Sequence, residues 1–590
     1  MEHLKRLLPY LSRYKVPFWG GMIGLLVARV FEAMIPLYLK EAIDSITAGQ
    51  PRLGAPALII LGLVMARFLS IIASRRLIRR IGVMVAYDLR KRFYAHVQKQ
   101  GPGFFARYPT GDLMARAIND IQLIRQLVGQ GTRAVVVMFF CAAIGLFFMA
   151  RLSPSLTLLL LPPLPIITLV AYYFSKQIFA YSFKVQQGFS ELSEHTQENL
   201  NGIRTVQAQV QEDAEINRFE KTSSKYADSY MSLIKTNSLL SSFMPILGVI
   251  CQIVILGYGG SRVLAGEIGV GTFAAFFWYL NMVLWPVRDA GNMLTLWQRG
   301  ATGAQRLFEV LDTEPEIVDQ CSEDVPDQLS GEMEIQGLSY KYPYTEKTVL
   351  KDISLKIRAG ETVAILGRIG AGKSTLLNLF VRLLDPPPGS LFLDGHDIQA
   401  YPLDQVRDQV ALVLQDPFLF AESVRSNLTY DNPERSLNVV WSAAEAADLK
   451  DTILTFSNEI ETLVGERGVT LSGGQKQRLT LARGLIRNSP ILILDDCFSN
   501  VDTETEERIL RRLKRRRKNL TTILVSHRVS TVREADRIVV LDEGRIVETG
   551  THEELISNGG LYAHIEEAQN QRGKLMEKLE KSAPEAAGPA

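Results

Sequence analysis

The sequence predicts an α-helical domain that spans a membrane six times, fused to an α/β P-loop domain. Three observations support this prediction. Apolar residues concentrate in the first half of the 590-residue chain, in runs near the roughly 20 residues that cross a bilayer. In the second half, apolar β-type runs alternate with helical ones, as in an α/β core. A Gly-x-x-x-x-Gly-Lys-Ser sequence begins at Gly367, between a β-type run and a helical one.

The length of the chain is too great for one hydrophobic core, so more than one domain is expected. We divide the sequence into a transmembrane domain at 1–311, an acidic linker at 312–331, a P-loop (nucleotide-binding) domain at 332–573 and a C-terminal tail at 574–590. We assign no function to the tail. The net charge of +2 disfavours a nucleic-acid partner that binds through bulk positive charge.

Six apolar segments cover residues 16–39, 55–74, 134–150, 156–174, 239–258 and 270–287. Lys and Arg mark the cytoplasmic side of a membrane protein. Arginines follow the second segment at Arg75, Arg76, Arg79 and Arg80, and Lys176 follows the fourth. The loops near residues 50, 153 and 260 are short and carry few basic residues. We therefore expect a multi-pass protein of the inner (plasma) membrane, with both termini and the second domain in the cytoplasm.

Two long polar segments, 77–133 and 175–237, separate these spans. They are helix-forming and too polar for lipid, and each is broken near its middle, at Gly101 and at Gly202. The pattern predicts two helical hairpins that extend into the cytoplasm, with short turning helices at their tips. Plain cytoplasmic loops are the alternative, although unstructured loops of this length are uncommon.

Charged side chains also occur inside the apolar segments. Arg29 and Glu32 lie three residues apart on the first span, and Arg67 lies in the second. Such charges are costly in lipid and usually face a protein interior or a cavity. Two interpretations remain open: a polar wall of a substrate cavity, or an internal ion pair that fixes helix packing.

The P-loop motif indicates a phosphate site, because glycines let backbone N–H groups approach a polyphosphate at a helix N-terminus. In this type of loop, Lys373 is expected to reach the β- and γ-phosphates and Ser374 to hold Mg²⁺. The residues of the motif are Gly367, Arg368, Ile369, Gly370, Ala371, Gly372, Lys373, Ser374 and Thr375.

Further candidate residues flank this loop. Tyr342 precedes it and is placed to stack on adenine, and Gln415 ends an apolar run from which its amide reaches Mg²⁺ or a water. Asp495 ends a buried strand and is expected to hold Mg²⁺, with Asp496 directly after it. His527 follows another strand, as a sensor of the γ-phosphate or as a structural residue. A second helix N-terminus suited to binding an anion is formed by Leu471, Ser472, Gly473, Gly474 and Gln475.

Taken in order, these motifs resemble those of the ATP-binding cassette (ABC). They correspond to the A-loop (Tyr342), Walker A (367–375), Q-loop (Gln415), signature (471–475), Walker B (ending at Asp495), D-loop (499–502) and switch histidine (His527). The six spans with two hairpins resemble the type I exporter, or type IV transmembrane, fold. The resemblance implies ATP and Mg²⁺ as cofactors and coupling helices near 102–109 and 203–211. It also implies a dimer, because each ATP lies between the Walker A of one cassette and the signature of the other.

Three positions depart from the family pattern. Asp496 stands where a catalytic glutamate is usual, Asn500 where alanine is usual, and Ile369 where serine or threonine is common. An aspartate carboxylate is one methylene shorter, and a misplacement of about 1 Å can cost on the order of 10²-fold in rate. This change beside an intact signature resembles the degenerate-site subunit of heterodimeric exporters.

The resemblance therefore predicts ATP-driven export of amphipathic small molecules or lipids, together with a partner chain that carries the Walker B glutamate. A homodimer in which Asp496 is a slow base remains an alternative, as does import by the same fold. A gated channel is a further alternative, which accumulation against a gradient would exclude. The spans and the near-neutral charge disfavour a soluble cassette ATPase that acts on DNA or ribosomes.

Overall fold

The computed structural model describes residues 2–49, 52–319, 325–343, 345–465, 468 and 470–582. The chain forms two compact units. One comprises Met1–Gln98 and Pro109–Thr313, and the other comprises Lys99–Tyr108 and Glu314–Ala590. The predicted linker is described at 312–319 and 325–331, and the predicted tail as far as Ser582; the remainder of each lies outside the described residues.

Long helices build the first unit. They are α1 (Glu2–Lys5), α2 (Leu8–Ser12), α3 (Lys15–Thr47), α4 (Gly54–Val97), α6 (Thr110–Ala115), α7 (Ile121–Gln126), α8 (Thr132–Leu152), α9 (Pro154–Leu160), α10 (Pro163–Asn201), α11 (Ile203–Ala208), α12 (Glu212–Val254), α13 (Gly260–Leu264) and α14 (Val270–Leu311), with π-helical turns at Arg116–Asp120, Leu127–Gly131 and Ile255–Gly259. The short α5 (Pro102–Arg107) belongs to the second unit.

Each of the six predicted spans lies within these helices. Five helical runs are long and apolar enough to cross a membrane: Lys15–Thr47, Gly54–Val97, Thr110–Leu152, Pro154–Asn201 and Glu212–Leu264. The sixth apolar stretch, Val270–Trp285, is shorter and opens α14. The first unit is therefore a helical transmembrane domain, as the sequence predicts.

Glycine and proline place the breaks at the hairpin tips. Gly101 is extended and caps α5, and Pro102 occupies the first helical position, where its missing N–H costs no hydrogen bond. Helix α10 ends before Gly202, and α11 begins at Ile203. The short helices predicted at both tips are confirmed.

Small residues let α3 and α4 approach closely. The Ser70 hydroxyl donates to the Gly24 carbonyl oxygen at 2.8 Å. A Cβ added at Gly21 would lie 2.8 Å from the Ile78 side chain. In lipid, where burial of apolar surface gives little driving force, such close packing and interhelical hydrogen bonds hold helices together.

Helix α14 packs against α3 in a similar way. The backbone N–H of Gly271 donates to an Asp44 carboxylate oxygen at 2.8 Å. The hydroxyl of the buried Tyr279 donates to the Ala33 carbonyl oxygen at 2.7 Å. These polar contacts fix the position of α14 along α3.

The second unit contains two sheets. Their strands are β1 (Met333–Lys341), β2 (Thr348–Ile357), β3 (Thr362–Gly367), β4 (Leu391–Leu393), β5 (His396–Asp397), β6 (Val410–Val413), β7 (Ile491–Asp495), β8 (Thr521–Ser526), β9 (Arg537–Asp542) and β10 (Arg545–Gly550). The first sheet is antiparallel, in the order β2-β1-β4-β5, and the second has the order β10-β9-β3-β8-β7-β6. In the second sheet all neighbours are parallel except β10 and β9.

Helices surround these sheets. They are α15 (Lys373–Phe380), α16 (Leu403–Gln409), α17 (Val424–Leu428), α18 (Leu437–Ala446), α19 (Lys450–Leu454), α20 (Gly473–Leu485), α21 (Thr503–Arg516), α22 (Val529–Val532), α23 (His552–Ser557) and α24 (Leu561–Ser582). Two apolar cores form, one with α20 and α21 and the other between the two sheets. The predicted α/β domain is confirmed, and its parallel strands end at one edge.

The first hairpin tip is bound to the segment that opens the second unit. The backbone N–H of Gly103 donates to a Glu316 carboxylate oxygen at 3.2 Å. A Cβ added at Gly101 would lie 2.5 Å from the same carboxylate. Because of such contacts, Lys99–Tyr108, which lies in the sequence range of the transmembrane domain, groups with the second unit.

We predict that Gly271→Ala destabilises the transmembrane domain. A Cβ at this position would lie 2.3 Å from the Lys40 carbonyl oxygen, so α14 must shift away from α3. Overpacking of this kind costs about 1–3 kcal/mol. The measurement is the midpoint of thermal unfolding in detergent. The matched control is Gly62→Ala on α4, where nothing lies within 4 Å of the added carbon; equal midpoints for the two variants would contradict the packing described.

Candidate functional site

The phosphate loop joins β3 to α15. Gly370 and Gly372 have φ angles of +84° and +100°, which disfavour any residue with a side chain. A Cβ added at Gly367 would lie 2.2 Å from the Leu541 carbonyl oxygen on the neighbouring β9. Three glycines of the motif are therefore required by the backbone, and the loop turns tightly around the start of α15.

The ammonium group of Lys373 lies inside this loop. Its Nζ donates to the carbonyl oxygens of Gly367 at 2.8 Å and Arg368 at 2.9 Å. Burial lowers the pKa of Lys373, and the nearby Asp495 and Asp496 oppose that shift. A buried ammonium beside a helix N-terminus suits a polyphosphate, because both carry positive charge to the same place.

Ser374 and Asp495 meet beside the loop. The Ser374 hydroxyl lies 3.3 Å from an Asp495 carboxylate oxygen, and Asp495 is only 7% exposed. Burial raises the pKa of Asp495, whereas the Ser374 hydroxyl, Lys373 and His527 act to lower it. A hydroxyl and a buried carboxylate are hard oxygen ligands of the kind that Mg²⁺ prefers. The two residues therefore fit the predicted Mg²⁺ site, and the ion would supply positive charge to phosphate oxygens.

Asp496 follows at the end of β7 with a φ angle of +43°. Its backbone N–H donates to the Val525 carbonyl oxygen at 2.8 Å. Its carboxylate accepts hydrogen bonds from Gln415 Nε2 at 3.3 Å and from the Ser526 hydroxyl at 3.4 Å. The carboxyl ends of β6, β7 and β8 thus bring together Gln415 and Asp496, two residues 81 positions apart in sequence.

Tyr342 and His527 lie at the margins of this cluster. The Tyr342 hydroxyl is 3.0 Å from the Thr375 hydroxyl, so the predicted A-loop tyrosine contacts the end of the phosphate loop. The His527 carbonyl oxygen accepts a hydrogen bond from Gln569 at 2.6 Å. That bond fixes the backbone after β8, while the half-buried imidazole stays close enough to act on Asp495.

The signature turn is a helix cap. The Ser472 hydroxyl accepts the Gln475 N–H at 3.3 Å, and the Gln475 side chain accepts the Ser472 N–H at 2.9 Å, which forms a capping box at the start of α20. A Cβ added at Gly474 would lie 2.8 Å from the Asn500 carbonyl oxygen. Within the described part of the chain, no hydrogen bond joins this turn to the phosphate loop.

Sequence reasoning missed the residue that connects the signature helix to the D-loop. Gln477 is 2% exposed; its Nε2 donates to the Ser499 hydroxyl at 2.6 Å and its Oε1 accepts the Asn500 N–H at 2.8 Å. A buried amide side chain needs hydrogen-bond partners. In the sequence, Gln477 lies on the apolar face of a predicted helix, which indicates a buried amide. The sequence does not show that Ser499 and Asn500 are its hydrogen-bond partners.

A cavity of about 690 Å³ lies within the transmembrane unit, between α3, α4, α8 and α14. Arg29 pairs with Glu32, and Arg67 Nη2 lies 3.0 Å from the other oxygen of Glu32. These charges therefore pair with each other and also line a cavity, and a role of the cavity in substrate binding stays a prediction. The lining comprises Arg29, Glu32, Arg67, Ile71, Arg75, Cys141, Ala274, Phe277, Trp278, Asn281, Met282 and Trp285.

A spanning helical domain fused to a P-loop domain, whose loop adjoins a hydroxyl and a carboxylate that fit Mg²⁺, defines a membrane transporter that hydrolyses ATP. Sequence comparison agrees: the ABC transporter transmembrane region matches residues 18–287, and the ABC transporter domain matches residues 350–499. The chain belongs to the ABC transporter family, and its fold is that of the exporters.

Relatives match nearly the whole chain. The ATP-dependent lipid A-core flippase of Syntrophus aciditrophicus is 34% identical over 98% of this chain and 96% of its own length. The putative multidrug export ATP-binding/permease protein YgaD of Bacillus subtilis is 32% identical over 97% of this chain and 100% of its own. A solved structure of a bacterial Atm1-family ABC exporter with ATP bound has a TM-score of 0.76 and 25% identity, covering 98% of this chain and 99% of that one.

We predict that Lys373→Ala weakens ATP binding by at least about tenfold, because a charge-assisted contact to the phosphates is lost. The measurement is equilibrium binding of a fluorescent ATP analogue to the purified chain in the presence of Mg²⁺. Lys518→Ala is the control, since it removes the same charge from an exposed position on the surface. Equal affinities for the Lys373→Ala variant and the unchanged chain would contradict the assignment of the phosphate site.

Proposed function

We propose that this chain is the degenerate-site half of a heterodimeric ABC exporter. The complex would use ATP to move amphipathic small molecules or lipids outward across the inner (plasma) membrane, with both termini and the ATPase domain in the cytoplasm. One observation carries the proposal: Asp496 replaces the usual glutamate while the signature turn at 471–475 is intact. The chain would need a partner that supplies the glutamate.

The surroundings of Asp496 support a weak site. Its carboxylate is held by Gln415 and Ser526, two residues at the ends of neighbouring strands. The aspartate side chain is one methylene shorter than glutamate and is held by these two hydrogen bonds. Its carboxylate is therefore poorly placed to activate water. A displacement of about 1 Å is enough to cost on the order of 10²-fold in rate. The site would therefore bind ATP and hydrolyse it slowly.

The other residues of the site are those that nucleotide binding needs. The loop amides and Lys373 would bind the phosphates, and Ser374 and Asp495 would hold Mg²⁺. Tyr342 would stack on adenine, and His527 would contact the γ-phosphate. The capped signature turn, held against Asn500, would complete the ATP site of the partner chain.

The transmembrane cavity supports an amphipathic substrate. Its volume of about 690 Å³ lies within the roughly 300–1,000 Å³ of small-molecule sites. Three aromatic residues, Phe277, Trp278 and Trp285, line it together with charged groups. One relative is named as an ATP-dependent lipid A-core flippase and another as a putative multidrug export ATP-binding/permease protein. Membrane lipids would surround the same helices.

A homodimer is the second candidate. It is favoured by the position of Asp496 directly after Asp495 and in contact with Gln415, where a working base would also lie. In that arrangement each chain would supply its own slow carboxylate.

ATPase rates in lipid separate the two candidates. The rate is measured for this chain alone and for its complex with the product of a neighbouring transporter gene, each with and without Asp496→Asn. It is also measured for the complex in which the equivalent acid of the partner is neutralised. If the heterodimer proposal is right, activity requires the partner and is lost when the partner's acid is neutralised. Asp496→Asn then changes the rate little. Turnover by this chain alone that Asp496→Asn abolishes would contradict it. Uptake into inverted vesicles then tests outward transport.

We predict further that Asp496→Glu increases ATPase activity, by up to about 10²-fold at this site, because the added methylene restores the reach of the carboxylate. The readout is the turnover rate of the complex in which the acid of the partner is neutralised, so that only this site contributes. Asp451→Glu serves as the control for a longer acidic side chain, since Asp451 is exposed on α19 and belongs to none of the nucleotide motifs. An Asp496→Glu complex no faster than its parent would show that carboxylate reach does not limit the site.

A further inference from the structure

We propose that the transmembrane cavity binds the anionic headgroup of an amphipathic substrate, which deepens the proposed function and rests on it. Three arginines, Arg29, Arg67 and Arg75, line the cavity, and the acidic residue in the described lining is Glu32. Three positive charges against one negative charge give the described lining of the cavity a net charge of +2. The cavity thus has the charge that attracts an anion.

Glu32 is already shared between two arginines. One carboxylate oxygen pairs with Arg29 and the other with Arg67. The Nε atoms of both arginines are buried and have no hydrogen-bond partner within the described residues. One carboxylate neutralises one guanidinium, so this cluster retains a positive charge and two unused donors.

Arg75, an exposed residue just past the second predicted span, adds a further positive charge to this wall. It lies two helical turns beyond Arg67 on α4, so both side chains occupy the same face. It also lines an adjoining cavity of about 230 Å³ with Arg29, Arg133 and Trp285, and the described lining of this smaller cavity includes no acidic residue. In the described part of the chain, Arg75 forms no ion pair.

An ion pair that only fixes helix packing would be close to neutral, because uncompensated charge at membrane depth is costly. The positive charge that Arg29 and Arg67 leave after pairing with Glu32 is therefore suited to a ligand that supplies negative charge. The exposed Arg75 adds to that attraction. Guanidinium groups suit phosphate and carboxylate, which accept two parallel hydrogen bonds from one arginine. The arginine wall of α3 and α4 selects an anionic headgroup.

The opposite wall accounts for the apolar part of the ligand. Helix α14 contributes Phe277, Trp278, Met282 and Trp285 to the same cavity. Trp278 and Trp285 are seven residues apart, or about two turns, and so lie on one face. A molecule with a charged head and an apolar tail would direct the head to α4 and the tail to α14. A free anion would use only one of the walls.

The test uses three photoreactive probes with one dodecyl diazirine tail and different heads: phosphate, phosphocholine and trimethylammonium. The full chain is reconstituted in phosphatidylcholine nanodiscs and labelled over a range of probe concentrations, and labelled peptides are located by mass spectrometry. We expect saturable labelling within Val270–Trp285, with half-saturation for the phosphate probe at a concentration at least about tenfold lower than for the cationic probe. Inorganic phosphate at the same concentration should not displace the phosphate probe.

Variants assign the selectivity to the arginine wall. Arg75→Gln and Arg67→Gln should each weaken phosphate-probe labelling by about tenfold. Glu32→Gln should strengthen it, because it removes the opposing charge, whereas a purely structural ion pair would give no gain. Arg76→Gln is the matched control, since this adjacent arginine on the same helix does not line either cavity. Arg75→Gln breaks no described ion pair, so its result does not depend on the stability of the Glu32 cluster.

Equal half-saturation for all three heads, a preference for the cationic head, or no effect of Arg75→Gln would overturn the inference. Displacement by inorganic phosphate would also overturn it, by showing a site for free anions. ATP-driven transport by the complex of this chain with its partner, reconstituted in proteoliposomes, separates this inference from the proposed function. Transport without preference for the phosphate head contradicts the inference alone. Failure to transport any of the three probes, despite selective labelling, contradicts the proposed function alone.

Discussion

The parallel pairing of β3, β8 and β7 is the constraint on which the nucleotide site depends. Their carboxyl ends lie at one edge of the sheet, so the phosphate loop, Asp495 and Ser526 meet there although they are far apart in sequence. Lys373 and Asp495 are buried at this edge. Burial therefore shifts the pKa values of Lys373 and Asp495 in opposite directions. The buried ammonium of Lys373 suits a phosphate, and the buried carboxylate of Asp495 suits a metal ion bound beside it.

Much of this arrangement could be predicted from sequence because its signals are local. Apolar runs give the spans, Gly202 and Pro102 give the breaks at the hairpin tips, and glycines with positive φ give the phosphate loop. Other features depend on contacts between distant residues. The bond between Gln477 and Asn500 and the contact of Gly103 with Glu316 have no local pattern. Sequence likewise placed Arg29, Glu32 and Arg67 in spans without showing that they share one cavity wall.

The nucleotide site and the transmembrane cavity share one physical feature. In each, charged side chains are withdrawn from water, and their own counter-ions do not neutralise them completely. The ATPase unit uses Lys373 and the two consecutive aspartates, and the transmembrane unit uses Arg29 and Arg67 around Glu32. Residual charge of this kind in a protein interior indicates a ligand of the opposite sign. Polyphosphate with Mg²⁺ is therefore the ligand that we propose for one unit, and an anionic amphiphile is the ligand that we propose for the other.

The central claim is that Asp496 leaves the Walker site of this chain able to hold ATP but slow to hydrolyse it. The most direct measurement identifies the nucleotide that each chain retains after turnover. The complete complex would be incubated with Mg²⁺ and a photoreactive ATP analogue, washed, cross-linked and separated into its chains, and the attached nucleotides would be analysed. The account predicts triphosphate on this chain and diphosphate on its partner. Diphosphate on this chain to the same extent as on the partner would contradict it.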